Sequence, residues 1–262
     1  MSYDPGNGRG SVRTVPVKNN ESVTLKAEKD LGYQAPETEG KEYYFAGWAT
    51  SLADATAGNA AYSDGQTIRV DVNGENVLYA TWVKKTEITL EAKVDTKTYN
   101  GQVQTLEGFK NTTVDGYTVS GLTAKTSGKD AQVYSNTVFE GTAKVVKDGI
   151  DVTDKVVVKK VSGQLTISPR QVTLTSEGAS KPYDGTALTK PHVTVTGDGF
   201  VANEVSDIRA TGSVTNVSEG EVTNTITYKT SDKFNANNYS IIKNEGKLSI
   251  TPVTDEVTVR IK

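Results

Sequence analysis

Chemistry in this sequence has to come from a short stock of side chains. The 262 residues include one histidine, His192, and no cysteine. A catalytic triad therefore has one candidate base, and thiol chemistry, disulfides and cysteine-ligated metals have none. His192 follows Pro191 at the start of a β-type segment with no partner in view, which reads as a surface residue. Two carboxylate pairs, Glu37/Glu39 and Asp151/Asp154, have the residue types of glycoside hydrolysis, in which one carboxyl donates a proton and the other attacks or activates water. Both pairs fall in polar turns, where solvated surface is the plainer reading. Asp148-Gly149-Ile150-Asp151-Val152-Thr153-Asp154 and Asp71-Val72-Asn73-Gly74-Glu75 offer clustered oxygens to calcium. Neither has EF-hand spacing, and Asp/Asn/Gly turn chemistry accounts for both.

Two further chemistries are open to these residue types. A Lys–Asn isopeptide cross-link beside a buried acid could draw on Lys93, Lys97 or Lys181 and on Asn136 or Asn224, but no spacing singles out a pair. Tyr43, Tyr44, Trp48, Tyr79 and Trp82 could form a sugar-stacking platform. Trp48 and Trp82 each sit in an alternating apolar strand, however, and so are expected in the core. No glycine-rich phosphate loop leads into a helix. The expectation is a chain with no catalytic, cofactor-binding or metal-binding residue, and with its ligand-binding surface unassigned.

Composition bounds the partners. Lys and Arg number 29 against 32 Asp and Glu, for a net charge of -3, and the charges are evenly spread. This provides no basic field for nucleic acid or anionic lipid. No apolar run approaches the roughly 18 residues of a membrane span. Met1 leads directly into Ser2-Tyr3-Asp4-Pro5-Gly6 without a signal-peptide pattern. We expect an excised fragment whose secretion signal and anchor lie elsewhere in the parent chain. Hydrophobic residues make up 35%, below the roughly 45–50% usual for globular domains on a count that includes Gly, which suits small modules with much exposed surface.

The elements that would position these residues are β in character. Thr and Val dominate, and alternation is clear at Ile88/Leu90/Ala92, Val172/Leu174, Val193/Val195 and Leu248/Ile250. No stretch of a dozen residues has a helical period. A repeat is visible. Ile88-Thr89-Leu90 leading to Lys97-Thr98-Tyr99-Asn100-Gly101 returns as Val172-Thr173-Leu174 leading to Lys181-Pro182-Tyr183-Asp184-Gly185. The ending Gly163-Gln164-Leu165-Thr166-Ile167-Ser168-Pro169 returns as Gly246-Lys247-Leu248-Ser249-Ile250-Thr251-Pro252. Asn100-Gly101 and Asp184-Gly185 are tight-turn signals. Tyr99 and Tyr183 sit at equivalent positions and are expected to pack in the same way.

These observations divide the chain into a head at 1–85, repeats at 86–169 and 170–252, and at 253–262 the first strand of a truncated third repeat, with Val257, Val259 and Ile261 alternating. Each repeat is expected to be all-β, an Ig-like sandwich with β-grasp as the competitor. Proline junctions at Pro169 and Pro252 favour an extended rod. In the head, strands are expected at Ser22–Ala27, Tyr43–Ala49, Thr67–Val72 and Val77–Val83, with an irregular surface excursion at 51–61 that has room for a helical turn.

Two resemblances follow from these motifs. Tyr3-Asp4-Pro5-Gly6-Asn7-Gly8, Phe45-Ala46-Gly47-Trp48-Ala49-Thr50, Tyr62-Ser63-Asp64-Gly65 and Leu78-Tyr79-Ala80-Thr81-Trp82 together resemble the Listeria–Bacteroides repeat of the internalin B-repeat type. That resemblance implies an α+β, β-grasp-like head, with an opening strand ahead of Tyr3 that this copy lacks. Lys97-Thr98-Tyr99-Asn100-Gly101, Lys181-Pro182-Tyr183-Asp184-Gly185-Thr186, Asn238-Tyr239-Ser240-Ile241 and the Leu-x-Ile-x-Pro endings resemble the tandem mucin-binding-protein-like (MBG) repeats of bacterial surface adhesins. Neither family supplies catalytic residues. The resemblances imply a non-catalytic adhesion or stalk segment, extracellular and at the cell surface or cell wall. It would be monomeric, and its partner a host or neighbouring-cell glycan or protein. A carbohydrate- or mucin-binding module is the alternative, and an accessory region of a hydrolase the third reading.

Overall fold

The computed structural model describes residues 1–37, 42–74 and 76–254. Strand accounts for 52% and helix for 8% of the chain, in many small sheets, so the chain is mostly β. Two compact units can be described, each by itself. The first comprises Met1–Glu91, Phe109–Thr123 and Phe139–Val161, and the second Ala92–Gly108, Ala124–Val138 and Ser162 onward. Residues 86–169 contribute to both. The proposed opening strand at 253–262 lies, from residue 255 on, outside the described residues.

In the first unit a four-stranded sheet runs in the order Arg13–Thr14, Ser2–Asp4, Val77–Lys84, Tyr43–Ala49. Ser2–Asp4 is parallel to Val77–Lys84, which is antiparallel to Tyr43–Ala49. The expected strands at 22–27 and 67–72 are shorter, Ser22–Thr24 paired with Thr67–Arg69. Tyr3, expected just beyond an opening strand, is itself inside one. The 51–61 excursion contains a helix, Leu52–Ala57, capped by Ser51 Oγ accepting from the Asp54 N–H and ended at Gly58 with φ of 85°.

The head motifs have structural causes. Gly6 has φ +63°, and a Cβ there would lie 1.9 Å from the Ala80 carbonyl oxygen, so only glycine lets the turn cross that strand. The Asn7 side chain donates to the Trp82 carbonyl and accepts from the Trp82 N–H, both at 3.0 Å, and so stands in for a strand backbone. Gly47 has φ +127° at a bulge opposite Trp82 and Thr81. The bulge turns Trp48 inward, where it is fully buried against Tyr3 at 4.8 Å between ring centroids and Phe45 at 5.2 Å. Its indole N–H donates to the Lys26 carbonyl.

The repeated segments share the pairings of their opening and closing strands. Thr86–Glu91 pairs in parallel with Val156–Val161, as Arg170–Ser176 does with Tyr239–Asn244. Val94–Thr98 pairs in parallel with Gln164–Ser168, as Ala179–Pro182 does with Lys247–Thr251. A short antiparallel strand flanks each closing strand, Val133–Tyr134 in one copy and Val222–Thr223 in the other. Each opening segment is thus two strand pieces with a break at Ala92-Lys93 or Glu177-Gly178. Gly163 and Gly246 make those breaks possible, because a Cβ on either would meet backbone atoms at 2.1 and 2.4 Å. Two hairpin turns, Asp115-Gly116 and Asp148-Gly149, have positive φ at both residues, as tight two-residue hairpins require.

Candidate functional site

The second unit contains a buried polar cluster inside an apolar core. That core combines Tyr99, Leu165 and Ile167 from the first repeated segment with Val172, Leu174, Ile226 and Tyr239 from the second. Pro169, the expected junction, therefore falls within the sequence span of one continuous core.

At its centre is Glu204, 4% exposed. Its Oε1 accepts from the Tyr99 hydroxyl at 2.6 Å and its Oε2 from the Tyr239 hydroxyl at 2.5 Å. These are lengths of charge-assisted bonds, which are roughly twice as strong as neutral ones. The Tyr239 oxygen also accepts from the Val201 N–H at 3.0 Å. The tyrosine rings meet edge to face at 5.7 Å. Around them, the Arg170 guanidinium donates to the carbonyls of Tyr99, Asp198 and Gly199. The fully buried Asn238 accepts from the Ala131 N–H and donates to the Asp130 carboxylate at 2.9 Å. Gly101, of the Tyr99-Asn100-Gly101 turn, has no room for a side chain because Val201 packs 2.7 Å from where its Cβ would stand. Every bond in this clasp joins residues 86–169 to residues 170–252, apart from those of Tyr239 and Arg170 to their own segment.

The electrostatics give a pH signature. Burial, and then the Glu204 carboxylate, push the Tyr99 hydroxyl up to about 12 from 10.0. The same two causes raise Tyr239. A raised phenol favours the protonated form in the folded chain, so its contribution is complete below pH 10 and is lost as pH rises through about 12. Alkaline titration of denaturant midpoints should show stability falling in that window. Glu204→Gln should make the fall shallower.

The side chains singled out by type lie elsewhere. His192 is exposed, immediately before the strand Val193–Gly197. Glu37 is exposed at 3.8 Å from Arg9, and Glu39 lies outside the described residues. Asp151 accepts from the Thr153 N–H and hydroxyl, and Asp148 shapes a hairpin turn. Asp71 caps its own turn through the Asn73 N–H, while Glu75 is outside the described residues. Among those residues no three His, Asp or Glu side chains converge. The amide nitrogen of Asn224 is committed to the Glu177 and Lys190 carbonyls and its oxygen to the Gly212 N–H. Asn136 donates to the Ser127 carbonyl. Lys97 donates to the Thr105 carbonyl, and Lys181 to Asp184 and Thr186. Lys93 lies beside Gly108. None of these contacts joins a candidate lysine to a candidate asparagine.

Trp48 and Trp82 are core residues, at 0% and 9% exposure, while Tyr43, Tyr44 and Tyr79 are half-buried. A head pocket of about 180 Å³, bordered by Met1, Tyr62, Ile68 and Arg69 among others, is smaller than the roughly 300–1,000 Å³ of ligand pockets. The equivalence of Tyr99 and Tyr183 needs correction. Tyr99 is 1% exposed and Tyr183 is 46% exposed, because Glu204, Val201 and Tyr239 cover the first and nothing comparable among the described residues covers the second. Glu204 escaped the sequence reading. An acid in the loop 198–204 looks like any solvated turn residue until two tyrosines distant in sequence are placed against it. No family model matches the chain, and no curated protein matches it.

Proposed function

We propose that this chain is a non-catalytic stalk or adhesion segment of a bacterial surface protein, working outside the cell at the surface or wall. On this reading 1–85 is a β-grasp-like head of the Listeria–Bacteroides type. Residues 86–169 and 170–252 are MBG-type sandwich modules, and the three are arranged end to end as a rod. Any partner, a glycan or a protein on a host or neighbouring cell, is met by strand edges and loop tips.

The observation that carries this reading is the Tyr99–Glu204–Tyr239 clasp, a buried polar network within the second compact unit that joins side chains from both repeated segments. A stalk needs stiffness, since a flexible string would not project a binding tip. Small-angle X-ray scattering tests it. A compact globule of this length would have a radius of gyration of about 18 Å. The rod predicts a value well above that, with a skewed distance distribution, and a value near 18 Å would end the proposal.

A further inference from the structure

Tyr99 is covered and Tyr183 is open, although the backbone around them is the same. The Tyr99 N–H donates to the Ser168 carbonyl at 2.9 Å, and the Tyr183 N–H to the Thr251 carbonyl at 2.9 Å. Asn100 Oδ1 accepts from the Gln102 N–H, and Asp184 Oδ1 from the Thr186 N–H, both at 2.9 Å. Gly101 and Gly185 have φ of 80° and 78°. The difference lies in what faces them. Val201 crowds Gly101, whereas no described residue lies within 4 Å of where a Gly185 Cβ would stand. Tyr183 also exposes a large aromatic ring that its counterpart buries.

We infer that the Tyr183-Asp184-Gly185 end of residues 170–252 is a docking surface for one further module of the same type, carrying an arginine, a glutamate and a tyrosine where this segment has Arg170, Glu204 and Tyr239. The occupant is specified by the chain itself, because the same turn at Tyr99 is already filled by that set. A second copy of the whole chain does not qualify, since its Glu204 is engaged by its own Tyr99. The inference rests on the reading of these segments as stacking repeats. It adds which surface receives the next repeat and through which side chains.

The test uses the full chain with the residues after Pro252 replaced by a second copy of Arg170–Pro252. This restores the proline–arginine joint found at Pro169-Arg170. Tyrosine nitration followed by peptide mass spectrometry reads the accessibility of Tyr183. The expected result is a drop of about tenfold relative to the parent chain, reversed by Glu204→Leu in the appended copy only. A folded appended copy with Tyr183 nitrated as fast as before would overturn the inference. So would an appended copy that stays unfolded by hydrogen exchange, since this surface is what should support it. Either failure leaves the Tyr99 clasp and the scattering result of the stalk reading untouched, so the two ideas can fail separately.

Discussion

Replacing Glu204 by leucine is expected to destabilise the chain by roughly 4 kcal/mol, because it strands two buried tyrosine hydroxyls at about 1–3 kcal/mol each. Leucine fills much of the glutamate volume, so the loss reports hydrogen bonding more than a cavity. Glu204→Gln should cost less, about 2 kcal/mol, since one acceptor survives while the amide NH₂ confronts a hydroxyl donor. Urea unfolding followed by circular dichroism gives both values. The loss should not be confined to residues 170–252. The core around Glu204 includes Leu165 and Ile167 as well as Val172 and Leu174, so amide protection should fall on both sides of Pro169. A destabilisation below about 1 kcal/mol would mean that the clasp is ornamental.

Trp48→Ala is expected to cost about 3–5 kcal/mol, the range for deleting a large buried aromatic. The ring is fully buried, touches Tyr3, Tyr33 and Phe45 edge-on or tilted, and donates to Lys26. The head should lose its near-ultraviolet signal at a lower temperature, while protection at Leu165, Ile167, Val172 and Leu174 is retained. This outcome separates a core tryptophan from a sugar-stacking one, whose removal would leave the head's melting temperature unchanged. A change under 1 kcal/mol would restore the platform reading.

Much of the β character could be read directly, and the reasons are local. Alternation at Ile88/Leu90 and at Val172/Leu174 places those residues in the core because strand side chains alternate faces. The turns Asn100-Gly101 and Asp184-Gly185 are set by residues that tolerate positive φ. Equivalent strand pairings in the two repeated segments follow from their matched Gly-x-Leu-x-Ile endings.

What escaped was non-local. The parallel pairing of each opening segment with its closing segment depends on glycines, Gly163 and Gly246, whose role appears only when the backbone they touch is in place. The strand Ser2–Asp4 was hidden because three residues carry no period. The clasp was hidden for a different reason. Tyr99 and Glu204 lie 105 positions apart, and a repeat pattern predicts sameness, whereas this site exists because one copy covers its neighbour's tyrosine. The unequal exposure of Tyr99 and Tyr183 is the physical record of that asymmetry.

The central claim is that side chains from either side of Pro169, Tyr99 before it and Glu204 and Tyr239 after it, share one buried network within the second compact unit. A double-mutant cycle between Tyr99→Phe and Glu204→Gln in the full chain, read by equilibrium unfolding, measures it directly. The two side chains sit on opposite sides of that proline, so any coupling between them is energy stored across the joint. The account predicts a coupling of about 1–3 kcal/mol, as expected for partners in one buried network. Additive effects, with coupling indistinguishable from zero, would contradict it.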